Sequence, residues 1–317
     1  MKKIFLVTSI FLFSCDIGEI AIEPHMPGAV QIGIAELEDN YKNQIFYNLS
    51  QNQEISRNIK TQWDIGFVSE EIDKIVLNTS TGSKVWRVIN SDFNNNFDLS
   101  LAEWNWDMPS GNLDSTAFGN IDLNTIYIID RGYNLNGNQR GYRKIKFNQI
   151  NTDSCEFKIG LLDNSFDTTV TLTKNKNKNV TNFTFSNFSS VDIEPFRNEW
   201  DLLFSQYITI FYQPEFLPYL VTGVLINTNN ISVFEEKTKN FDIISLEDAL
   251  NYQYSQISNV IGYDWKSYDL ETGNFTVDDS KTYIIKHISG KYYKLRFIDF
   301  YNSLGVKGYP TFEFQEL

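Results

Sequence analysis

Thr282-Tyr283-Ile284-Ile285-Lys286-His287-Ile288-Ser289-Gly290-Lys291-Tyr292-Tyr293-Lys294-Leu295-Arg296-Phe297-Ile298 reads as two strands and the turn between them. Lys294 to Ile298 alternates charged and apolar residues, which puts one face of its sheet in water and the other in a core. Ile288-Ser289-Gly290-Lys291 supplies the turn. Thr311-Phe312-Glu313-Phe314-Gln315 alternates in the same way near the C-terminus. An antiparallel, mostly β protein is the fold class these patterns predict.

The pattern recurs earlier in the chain. Tyr142-Arg143-Lys144-Ile145-Lys146-Phe147 matches Tyr292 to Phe297, and Thr125 to Ile129 matches Lys281 to Ile285. Further back, Gln62-Trp63-Asp64-Ile65-Gly66-Phe67 matches Glu199-Trp200-Asp201-Leu202-Leu203-Phe204, and Asn96-Phe97-Asp98 matches Asn240-Phe241-Asp242. Four matches in one order indicate a duplication. The seam is expected near residues 164–167, giving an N-terminal half (31–163) and a C-terminal half (164–317). Each half is predicted to be β-rich with one short helix. In the second, Ser245 caps the amide of Asp248 while Leu246, Ala249 and Leu250 share a face. Ser100-Leu101-Ala102-Glu103-Trp104 is the expected counterpart. In each Trp-Asp pair, Asp is expected to bond nearby backbone amides while Trp buries.

Composition narrows the function. The 317 residues carry 25 Phe, 17 Tyr and 6 Trp, ample for a packed core. A net charge of −13 opposes nucleic acid as a partner. Two His leave few groups titrating near neutrality, and no glycine-rich phosphate loop, HExxH or GxSxG occurs. No enzyme is expected. Lys174 to Asn179 alternates Lys and Asn, as suits a soluble hairpin tip or edge.

Met1-Lys2-Lys3 and the apolar run Ile4–Phe13 form a signal peptide over residues 1–14, too short to span a bilayer. Leu12-Phe13-Ser14-Cys15 resembles a bacterial lipoprotein signal, which implies lipid on Cys15 and a tether over residues 15–30. Membrane attachment is then through lipid alone. With Cys15 so used, Cys155 is left without an intramolecular partner, and its alternating surroundings predict a buried strand thiol.

The second half carries a further resemblance. Trp200 to Phe204, Gly262-Tyr263-Asp264-Trp265-Lys266-Ser267-Tyr268, Thr282 to Lys286, Gly290 to Phe297 and Gly305-Val306-Lys307-Gly308-Tyr309-Pro310-Thr311-Phe312 resemble the HmuY family of haem-binding bacterial lipoproteins. The likeness covers residues 190–317; the first half shares it through the internal repeat. It implies an HmuY-like antiparallel β fold and an outer-membrane lipoprotein on the surface or periplasmic face. It also implies capture of haem or a related porphyrin, as cofactor-like cargo, for an outer-membrane haem receptor in iron acquisition. Members of that family hold iron between His or Met side chains in the segment after the Trp-Asp block. Here Ser205 to Lys286 contains neither residue.

The axial ligands are therefore open. His287 lies just beyond that segment and reads as a solvated turn residue; Met108 lies in the first half, and His25 and Met26 lie in the tether. Tyr252, Tyr254 and Tyr263 offer phenol oxygen, since haem iron accepts His, Met or Tyr. The alternative function is a structural or interaction lipoprotein on the same scaffold that does not bind haem.

Overall fold

The computed structural model describes residues 26–317. The expected signal peptide, Cys15 and His25 lie outside the described residues. The chain is mostly antiparallel β: 45% strand and 6% helix. Among the described residues no helix is long and apolar enough to cross a membrane.

Four larger sheets divide into two units by their strand pairing. The first unit joins a six-stranded sheet, ordered Asp167–Thr173, Ser154–Gly160, Tyr142–Ile150, Thr125–Asp130, Lys84–Ile89 and Trp104–Asn105, to a four-stranded one. The latter runs Ser189–Ser190, Val180–Thr184, Ile65–Val68, Ile75–Leu77. The second unit has a five-stranded sheet, Gln31–Ile34, Lys307–Glu316, Tyr292–Tyr301, Thr282–His287 and Ile231–Glu236. With it goes the four-stranded sheet Leu217–Ile226, Leu202–Phe211, Asn43–Asn48 and Gln53–Ile59, and a two-stranded ribbon of Lys266–Tyr268 and Phe275–Val277. Each unit closes over its own core. Phe67, Tyr127, Phe147, Phe157 and Phe183 centre the first; Phe204, Trp265, Tyr283, Phe297 and Phe312 centre the second.

The pairing does not divide at residue 164. Strands 31–59 belong with the C-terminal strands: Gly33 faces Phe312, and Tyr47 faces Leu202. Strands 167–190 belong with the N-terminal ones: Phe157 faces Val170, and Phe183 faces Ile65. The expected tether is also docked from Gly28 on, whose amide donates to Glu316 O at 2.9 Å.

The two Trp-Asp blocks occupy matching environments. Asp64 N donates to Phe183 O at 2.9 Å, and Asp201 N donates to Tyr47 O at 2.8 Å. Two residues beyond each acceptor, an amide returns to the carboxylate: Phe185 N to Asp64 Oδ2 at 2.6 Å, Leu49 N to Asp201 Oδ2 at 2.8 Å. Asn78 Nδ2 donates to Trp63 O at 2.8 Å, and Asn227 Nδ2 to Trp200 O at 2.9 Å. The amides are therefore distant in sequence, not nearby; each carboxylate clamps a strand end from a remote part of the chain. Buried lysines repeat too. Lys144 Nζ donates to Phe93 O at 2.6 Å and Lys294 Nζ to Phe241 O at 2.7 Å, each over the same Phe ring.

Three further expectations are corrected. Ser100 to Trp104 is not a helix: a single 3-10 turn, Leu99–Leu101, is capped by Asp98, and Trp104 pairs instead with Trp86. Stacking of Trp104 on Tyr142 and the Lys84 ammonium over its ring override the local preference. In the helix Leu246–Asn251 the Ser245 capping box forms and Ala249 buries, but Leu250 faces water. Lys174 is buried rather than at a soluble tip, its ammonium donating to Glu71 O and Ile72 O.

Candidate functional site

Trp63 and Trp200 each stand immediately before the Asp clamp of their own unit, and both pack into one cluster with Phe46, Ile193, Val191 and Leu203. The indole N–H groups point across the unit boundary. Trp63 Nε1 donates to Gln44 Oε1 at 2.8 Å, and Trp200 Nε1 to Glu194 Oε1 at 3.2 Å. A cleft of about 460 Å³ opens over this cluster, walled by the two Trp, Phe46, Leu203, Met108 and Tyr207. That size falls within the span of small-ligand sites, and its walls are mainly apolar, as such sites require.

Two buried carboxyls sit in the wall, with Glu70 and Glu71 exposed beside them. Asp107 accepts the amides of Leu77 at 2.6 Å and Ala117 at 2.7 Å; burial outweighs these bonds and pushes it up to about 7. Glu194 accepts Val180 N at 3.0 Å and Asn179 N at 3.2 Å, and burial pushes it to about 7 as well. Arg197 supplies the cation at the rim. Its guanidinium pairs with exposed Glu70 at 2.7 Å and donates to Lys176 O at 2.9 Å.

Of the candidate iron ligands, only Met108 reaches this cleft. Its sulfur accepts the Tyr212 hydroxyl at 3.7 Å. Tyr207, which the sequence did not single out, also lines it; the hydroxyl is buried without a partner and is driven far above the usual phenol range by burial, with Tyr263 and Asp264 adding to the shift. Tyr252 lies elsewhere, stacked on Phe234 at 4.2 Å and donating to Glu236 Oε2 at 2.5 Å. Tyr254 donates to Ala249 O at 2.6 Å. Tyr263 is half-buried and does not line the cleft.

His287 is not a solvated turn residue. It ends the strand Thr282–His287, is 18% exposed, and places Nε2 at 3.4 Å from Asp201 Oδ1. Its Nδ1 takes Ser289 N at 3.0 Å. His287 and Tyr254 share a shallower depression of about 280 Å³. Met26 is exposed at the edge of the described chain. The two indoles, Tyr207, Asp107 and Glu194 were missed as site residues. The Trp-Asp repeat was the available signal for the indoles, and only the meeting of the two units converts it into a wall.

These features define a β-sheet protein with an aromatic, mainly apolar cleft. The family model described as HmuY protein matches residues 40–314, and the chain belongs to the HmuY family. No curated protein matches the sequence. Among solved structures, the apo HmuY analogue of Tannerella forsythia is 8% identical, with 93% of this chain and 98% of that chain covered and a TM-score of 0.34. Apo PinO from Porphyromonas gingivitis is 8% identical over 91% and 97%, with a TM-score of 0.31. An HmuY-like haem-binding protein from Bacteroides vulgatus is 11% identical over 90% of each chain, with a TM-score of 0.23.

Proposed function

We propose that this protein is a non-enzymatic cell-envelope lipoprotein that binds haem or a related porphyrin in the cleft beneath Trp63 and Trp200. It holds this cargo for an outer-membrane receptor. The observation that carries the reading is the pairing of two indoles, one from each unit, in the wall of a cleft within an HmuY-family chain. Aromatic walls suit a flat apolar ring, and Arg197 at the rim suits a carboxylate on its edge. When bound, haem would bring an iron that accepts a soft donor, and Met108 is the one such side chain in the wall.

Titration of the purified protein with ferric haem, followed by Soret absorbance and quenching of Trp fluorescence, tests this reading. Saturable binding that weakens on Trp200→Leu is expected. No saturable change would assign the scaffold to the structural or interaction role instead. For the anchor, a fatty-acid analogue fed to cells is expected to tag the wild type, and equal label on Cys15→Ala would end the lipoprotein assignment.

A further inference from the structure

Porphyrin capture can rest on the iron or on the ring, and the two modes ask for different residues. Iron capture needs lone pairs that are free and correctly ionised. Here the donors lie off the cleft, are engaged elsewhere or are held in the wrong ionisation state. His287 offers Nδ1 to Ser289 and directs Nε2 at Asp201, and it lies at a different depression from the cleft. Tyr252 and Tyr254 donate to Glu236 and Ala249 O on the side of the helix Leu246–Asn251. Tyr207 does line the cleft, but a phenol binds ferric iron as phenolate, and burial holds this one protonated. Met108 remains, with its sulfur taking the Tyr212 hydroxyl.

Ring capture needs flat apolar surface, and this is abundant. Beyond Trp63, Trp200 and Phe46, Met108 connects the cleft to a second aromatic group at the end of the hairpin Leu202–Phe211/Leu217–Ile226. There Trp106 lies 5.9 Å from Phe216, and Phe216 lies 6.0 Å from Tyr212. Tyr212 and Phe216 are 60% and 53% exposed. Such a grouping of exposed rings marks a binding surface. From these observations, resting on the porphyrin reading above, we infer that the cleft grips the faces of the macrocycle and that the iron adds little. Metal-free porphyrin is then as good a ligand as haem.

The test compares protoporphyrin IX with ferric haem on the purified protein, using Trp quenching for both and Soret absorbance for haem. The inference expects dissociation constants within about fivefold of each other, and Met108→Ala or His287→Ala shifting both by the same factor. It also expects Phe216→Ser with Tyr212→Ser to weaken both. Ferric haem binding more than about fivefold tighter, or a loss on Met108→Ala or His287→Ala confined to the ferric form, would overturn the inference while leaving porphyrin binding intact. Failure of both ligands to bind would overturn the porphyrin reading, and the inference with it.

Discussion

His287 Nε2 stands 3.4 Å from Asp201 Oδ1, where the first unit puts the guanidinium of Arg131 at 2.9 Å from Asp64 Oδ1. Both side chains occupy the same position of the repeat, and both face a carboxylate that clamps a remote strand end. The difference is in number: Asp64 also has Arg140 at 3.0 Å, whereas Asp201 Oδ1 has no hydrogen-bond partner. Arg131→Met leaves a buried carboxylate short of charge and is expected to cost about 3–5 kcal/mol. His287→Ala, acting at the rim, is expected to cost about 1–3 kcal/mol. Urea unfolding of both variants measures the pair, and an equal or larger loss at His287 would contradict the assigned roles.

Stability should fall as pH rises from about 4 to about 7. Asp107 and Glu194, with folded values pushed up to about 7 from the usual carboxylate range, bind protons more tightly in the folded chain. Their contribution is complete below the unfolded value and is lost as pH climbs through the folded one. Lys266, lowered to about 7 by burial, acts in the opposite sense: folding is favoured again as pH rises above 7. A stability minimum near neutrality follows, readable by urea unfolding at pH 5, 7 and 9. Glu194→Gln should flatten the acid limb, and an unchanged slope would rule out its part in the effect.

The same two carboxyls bear on the ligand. Above pH 7 they add negative charge to a wall facing an anionic porphyrin, so affinity should drop by about tenfold between pH 6 and pH 8. Titrations at the two values check this, and tighter binding at pH 8 would contradict it.

Trp200 is 6% exposed and Trp63 is only half-buried, so their truncations should differ. Trp200→Ala is expected to cost about 3–5 kcal/mol and Trp63→Ala about 1–3 kcal/mol. Equal losses in urea midpoints would contradict the effect assigned to their different burial.

Cys155 should be inert in the folded chain. It is 1% exposed within the strand Ser154–Gly160, and burial pushes its thiol up to about 12. Aromatic disulfide reagent should label it only after denaturant is added; rapid labelling in buffer would contradict its placement.

Much of the fold was legible because it depends on local alternation. Lys294-Leu295-Arg296-Phe297 and Thr311 to Gln315 form neighbouring strands, and Cys155 buries in its own. The repeat was legible as order. What it did not reveal is which strand closes each unit, because the Asp64 and Asp201 clamps reach amides 121 and 152 positions away. The cleft was illegible for the same reason: Met108 and Tyr207 come from different units, and nothing local sets their approach. His287 looked like a turn residue because it abuts Ile288-Ser289-Gly290-Lys291, and its partner, Asp201, is remote in sequence.

The docking of residues 31–59 on Lys307–Glu316 and Leu202–Phe211 has a consequence for synthesis. A chain synthesised N-terminus first presents Gln31–Ile34 and Asn43–Asn48 long before Lys307–Glu316 and Leu202–Phe211 exist to receive them. The unit spanning 64–190 is complete in between and is free to fold while the early strands wait. Contacts of such long sequence separation slow folding and leave strand edges open in the interval. Moving residues 28–60 to follow Leu317 would remove the wait, since Gly28 and Glu316 already touch. Such a permuted chain should reach the same structure sooner after dilution from urea.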